Sequence, residues 1–263
     1  MRQSPPLALK PASPTVPTQA TRHALAFLCL YLLLVITTGV VFSIPAVEQS
    51  VHHVVGDRAW LFMVLRNPIP YLGTLAIVCY GFDPRRRAAL RGVIGPLNLD
   101  VFVALALTAG AVTLLVMLGV WSFEWKRPGS QLADLVASMV RAHLWLPVSL
   151  HVVNATILVP LCEEVAFRLG LLQTLVARGF PAVAALWISS VAFGLVHWGA
   201  LNEIDPWALR RVAFATAVAY VCGRLTLRDG GTVGRAIAVH AAINGTEAFF
   251  LVIAVVSYVR SHA

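Results

Sequence analysis

HVVNATILVPLCEEVAFRLGLLQTLV, residues 151–176, decides the fold. It is apolar along nearly its whole length and exceeds the about 20 residues that a membrane-spanning helix needs. Yet Glu163, Glu164 and Arg168 sit in its middle. Ionisable groups in hydrocarbon cost roughly 2.5 to 3.5 kcal/mol each on insertion scales, so each needs a partner or a function. The rest of the chain says which solvent this helix meets. Of 263 residues 59% are apolar and only 12% charged, with a mean hydropathy of +0.79. Ordinary soluble domains carry about 25% charged residues, so this chain has too little polar surface to face water all round. It reads as an integral, multi-pass membrane protein in contact with the lipid bilayer.

Apolar blocks fall near 23–44, 59–82, 99–122, 146–177, 181–200, 207–225 and 233–258. The expected fold is therefore all-α, a polytopic helix bundle with about seven transmembrane helices, within a range of six to eight. The second block is the doubtful one, because Arg66, Asn67, Pro68 and Pro70 interrupt it. Residues 1–22, rich in proline and without apolar periodicity, read as a disordered leader. Residues 23–145 hold the N-terminal helices and their connections, and 146–258 a C-terminal core. Between blocks, 123–145 is more polar, and Leu132, Leu135, Val136 and Val140 recur at the spacing of an amphipathic surface helix.

A net charge of +8 would suit nucleic acid, but the basic residues lie in short loops between apolar blocks. That is the positive-inside pattern, and no nucleic-acid partner is expected. Placing the leader in the cytoplasm puts eleven Lys and Arg inside and seven outside. This favours a cytoplasmic N-terminus, and the expected setting is a bacterial-type cell membrane. Cys29, Cys79, Cys162 and Cys222 each sit within an apolar block and form neither a disulfide framework nor a zinc CxxC pair.

Within 151–176, Glu164 and Arg168 are four apart in the favourable acid-before-base order. Glu163 lies about 100° further round the helix, so Arg168 cannot serve both carboxylates equally. A structural ion pair accounts for Glu164 and leaves Glu163 as the carboxylate for proton transfer. The next block, PAVAALWISSVAFGLVHWGA at 181–200, places His197 eighteen residues after Gly179, where the chain turns, while Glu163 is sixteen before it. In an antiparallel hairpin the difference of two residues is about 3 Å of depth, so carboxylate and imidazole fall at one level. TVGRAIAVHAAINGTEAFF, at 232–250, puts His240 and Asn244 on one helical face. A lone His or Asn here would read as interhelical packing. Three helices each contributing polar groups read as a substrate or proton site.

In order, E163-E164-x-x-x-R168, F193-x-x-x-H197 and H240-x-x-x-N244 resemble the three motifs of the CAAX protease and bacteriocin-processing family of intramembrane proteases. The resemblance covers 146–250. It implies that Glu163, aided by His197, activates a water for attack on a peptide bond. His240 and Asn244 would face the developing oxyanion, with Glu164 and Arg168 organising the base. The substrate would be a membrane-associated protein or peptide: a prenylated C-terminal tail, a peptide leader or a C-terminal sorting tail. Metal dependence stays open, with zinc a candidate cofactor and Glu163, His197 and His240 its candidate ligands. No HExxH helix is present. Two other classes of function compete. An ion-coupled transporter would carry paired broken helices in two repeats, which the sequence lacks. A non-catalytic binding or immunity protein would not need the intact set of site residues.

Overall fold

Pro160 sits inside the longest helix, where a proline both lacks the N–H that would close a helical turn and crowds the carbonyl four residues before it. In the computed structural model the helix answers by widening. The structure describes residues 26, 29, 30, 32, 33, 99–117, 131–197 and 206–261. Among them every regular element is helical. They are α1 (Leu99–Met117), α2 (Gln131–Arg141), α3 (Trp145–Ala177), α4 (Ala182–Val196), α5 (Pro206–Arg228) and α6 (Gly234–Ser261). Just before Pro160, α3 relaxes into a π-helical turn over Asn154–Leu158, and it does so again over Val165–Leu172. Such wide turns are a known response to a disturbed hydrogen-bond ladder.

Two of these helices, α3 with 33 residues and α6 with 28, are long and apolar enough to cross a membrane. At α-helical rise α3 is about 50 Å long, well beyond a hydrocarbon core of about 30 Å, so the α3–α4 end projects past the lipid or the helix tilts. Leu99–Leu115 and Ala182–Val196 are shorter apolar helices. The outward faces suit lipid rather than water, with Ile157, Val183 and Phe249 each about 60% exposed. The sequence placed its sixth span at 207–225. There α5 is helical over a longer stretch but carries Arg210, Arg211, Arg224 and Arg228, and it is not among the helices apolar enough to span. The leader, the second block and the connections 118–130 and 198–205 lie outside the described residues.

The helices α3, α4, α5 and α6 run alternately up and down, and four apolar clusters among the described residues hold the bundle, one of them joining Leu172 of α3 to Ala185 and Leu186 of α4. Cys162, Val165, Phe167 and Leu169 of α3 meet Phe193 of α4 and Ala215 and Ala219 of α5. Val112 of α1 meets Val218 and Cys222 of α5 and Val239 and Ile243 of α6. The amphipathic segment expected on the surface is α2, and its apolar face is not lipid-facing. Val136, Met139 and Val140 are buried against Val148 of α3 and Leu251 and Val255 of α6. The bundle thus gains a short strut at the far end of α6.

Two glycines set how closely the site-bearing helices approach. Gly179 turns the chain between α3 and α4 with a φ of 88°, which other residues rarely adopt. On α4, Gly194 lies so near α5 that an added Cβ would run into Thr216 Oγ1 and come within 2.8 Å of the Val212 carbonyl oxygen. Backbone does not yield as a side-chain tip does. We therefore expect Gly194→Val to lower stability by about 1 to 3 kcal/mol through overpacking, seen as a lower melting temperature in detergent. An unchanged melting temperature would contradict the close α4–α5 approach.

Candidate active site

Glu163 and Glu164 end an α-helical segment of α3 and both point into the bundle. Their surroundings differ. The Arg168 guanidinium donates from Nε to Glu164 Oε2 at 2.8 Å and from Nη2 to Glu164 Oε1 at 3.2 Å. This fork-on-carboxylate geometry is the strong form of an ion pair, and both side chains are fully enclosed. Arg168 also donates from Nη1 to Ser189 Oγ at 3.4 Å, and that hydroxyl donates to the Phe167 carbonyl oxygen at 3.1 Å. Its Cζ lies 5.3 Å from the centre of the Phe193 ring, a cation–π distance. Ser189 was not singled out in the sequence. A hydroxyl in an apolar block, two helical turns before His197, was the available signal.

From α6, His240 reaches Glu164: its Nδ1 is 2.9 Å from Oε1. A carboxylate paired with arginine accepts and does not donate, so Nδ1 carries the proton. The other nitrogen, Nε2, then lies 3.6 Å from Glu163 Oε2. In the neutral ring Nε2 is an acceptor, and it donates only when the ring carries both protons. His197, the C-cap of α4, is arranged in the same way. Its Nδ1 is 2.9 Å from the Phe193 carbonyl oxygen, which can only accept, and its Nε2 is 4.0 Å from Glu163 Oε2. Two imidazole Nε2 atoms therefore face one carboxylate oxygen. Phe193 packs among them, its ring centre 4.5 Å from that of His197 and 5.7 Å from that of His240. The His197 side chain is 30% exposed while those of Glu163 and His240 are nearly closed off, so the site opens on the His197 side.

Asn244, one turn beyond His240, donates from Nδ2 to the Ala155 carbonyl oxygen at 3.1 Å. It stands at the site's edge and its second N–H is not used by that bond. Among the described residues no three His, Cys, Asp or Glu side chains are placed to hold a metal ion.

Removing one partner of a buried ion pair strands the other charge, at a cost of roughly 3 to 5 kcal/mol. We expect Arg168→Ala to lower the melting temperature and the yield of folded protein. Ser189→Ala should do so less, since it removes two neutral-acceptor hydrogen bonds of about 1 kcal/mol each and leaves the Arg168–Glu164 pair intact. Equal thermal unfolding of Arg168→Ala and the unmodified protein would contradict the pairing.

No curated protein and no solved structure matches the chain. The family model for the type II CAAX prenyl endopeptidase Rce1-like family matches residues 144–246, from the start of α3 into α6. Glu163, Glu164, Arg168, His197, His240 and Asn244 all fall within those residues. The matched segment contains the whole candidate site and supports the resemblance to the CAAX protease and bacteriocin-processing family that the three motifs carry.

Proposed function

We propose that the chain is an intramembrane endopeptidase that hydrolyses a peptide bond near the end of a membrane-associated, CAAX-type substrate, with Glu163 as general base. The observation that carries this reading is the division of labour between adjacent carboxylates. Glu164 is held by Arg168 and His240, while Glu163 faces the Nε2 atoms of His197 and His240. At 4.0 Å, Glu163 and His197 are too far apart for a direct hydrogen bond. A water about 2.8 Å from both would subtend about 90° between them, a geometry in which it can give its proton to one and be oriented by the other.

The water oxygen attacks the peptide carbonyl carbon as its proton passes to Glu163. The carbonyl oxygen becomes an oxyanion, stabilised by the remaining N–H of Asn244 and, when its ring carries both protons, by Nε2 of His240. Collapse breaks the C–N bond, and the proton held by Glu163 goes to the leaving amine. The products are a carboxylic acid and an amine, which settle as a carboxylate and an ammonium, so the reaction balances without an oxidant or a co-reactant. A site walled by lipid-facing helices suits a substrate delivered along the bilayer. The similarity to the type II CAAX prenyl endopeptidase family favours a prenylated Cys-a-a-X tail over a leader or sorting tail.

The test is cleavage of a farnesylated Cys-a-a-X peptide by the purified chain in bilayer discs, beside a leader peptide and a tail-anchored peptide. Glu163→Gln and His197→Ala should each lower kcat by about 100-fold or more with unchanged melting temperature. Asn244→Ala should lower it by roughly 100- to 1000-fold, the range for one oxyanion donor. Full activity in Glu163→Gln would sink the assignment, and cleavage of the leader or tail peptide alone would change the substrate class. In the same samples we expect activity to survive chelation. One zinc per chain, lost together with activity in His197→Ala, would overturn the metal-free mechanism.

A further inference from the structure

The Asn244 amide owes its orientation to a hydrogen bond that the α3 backbone is unable to make for itself. In the wide turn Asn154–Leu158 the ladder runs to the fifth residue, as the Val159 N–H bonding to the Asn154 carbonyl oxygen shows. The next bond in that pattern would run from the N–H of residue 160 to the carbonyl oxygen of Ala155. Residue 160 is proline and has no N–H. The orphaned Ala155 carbonyl oxygen is instead met by Asn244 Nδ2 at 3.1 Å. Ala155 is half-buried and its carbonyl has no helical donor, so a side-chain N–H that reaches it gains a hydrogen bond of about 1 kcal/mol, which draws the amide towards α3. A carbonyl oxygen only accepts, so the bond also decides which end of the amide is nitrogen. One N–H of Asn244 is thereby anchored and the other held in a fixed direction.

We propose that Pro160 is a positioning residue for the peptide-cleavage site: by leaving the Ala155 carbonyl oxygen unpaired, it creates the anchor that orients the Asn244 amide towards the reacting carbonyl. This rests on the reading of Asn244 as an oxyanion donor. Pro160 itself touches neither substrate nor water. It acts through one backbone oxygen, and its effect vanishes when Asn244 is absent. A proline kept only to bend α3 would have no such dependence.

The experiment compares kcat and KM for the farnesylated peptide in four full-length proteins: the unmodified chain, Pro160→Ala, Asn244→Ala and the double variant. Pro160→Ala restores the N–H that competes for Ala155. It should lower kcat by about 10- to 100-fold, the loss that a misplacement of about 1 Å produces, with KM little changed. In the Asn244→Ala background the same change should cost nothing further, since the two act as one unit. A second variant covers the case in which Pro160→Ala does not fold. An α-hydroxy acid at position 156 turns the Ala155 carbonyl into an ester carbonyl, a weaker acceptor, and should likewise lower kcat only when Asn244 is present. Normal kcat in Pro160→Ala, or losses that multiply in the double variant, would overturn the role of Pro160. Normal kcat in Asn244→Ala alone would instead overturn the oxyanion reading beneath it.

Discussion

The enclosed link Arg168–Glu164–His240 is the constraint on which the rest depends. It joins α3 to α6 through one carboxylate that accepts from a guanidinium and an imidazole. Two consequences follow from hydrogen-bond chemistry alone. Glu164 is committed to its two partners. His240 has its Nδ1 proton fixed, so its Nε2 is aimed at Glu163. A paired carboxylate thereby sets the direction of the imidazole facing its neighbour in sequence, Glu163. The fully apolar alternative would be no less stable, since buried ion pairs contribute little net stability. What the link supplies is a fixed geometry between two helices.

That geometry also depends on α3 departing from ideal helix. Its two wide turns flank the Glu163–Glu164 pair, one before Pro160 and one from Val165 to Leu172. Extra residues per turn rotate the helix face, and both carboxylates end up buried beside α6 rather than turned to lipid. The price in backbone hydrogen bonds is partly recovered from α6, where Asn244 serves Ala155. His240 and Asn244, four residues apart, thus make two different attachments to α3, one to a side chain and one to the backbone.

Much of this was legible in the sequence, and the reasons are local. The Glu164–Arg168 contact follows from a spacing of four in a helix. Counting outwards from Gly179 put Glu163 and His197 at one depth, and their facing atoms are 4.0 Å apart. The partner of His240 was not legible, because residue spacing within α6 says which face a side chain is on but not which of its two nitrogens meets a carboxylate 76 positions away. The wide turns were not legible either. Pro160 signalled a disturbed ladder, yet proline produces kinks, breaks or π turns according to what packs around it. The buried face of α2 depended on the far end of α6, a contact across more than a hundred residues.

The central claim is that Glu164 and His240 work as a coupled pair across α3 and α6, and a double-mutant cycle measures that most directly. Unfolding free energies of the unmodified chain, Glu164→Gln, His240→Ala and the double variant in detergent give the coupling. Residues without contact add within about 0.3 to 0.5 kcal/mol. A charged, enclosed hydrogen bond should give a coupling of about 1.5 kcal/mol or more, with the double variant less damaged than the sum of the singles. Strict additivity would contradict the account, because His240 would then have no fixed tautomer and Glu163 no defined neighbour.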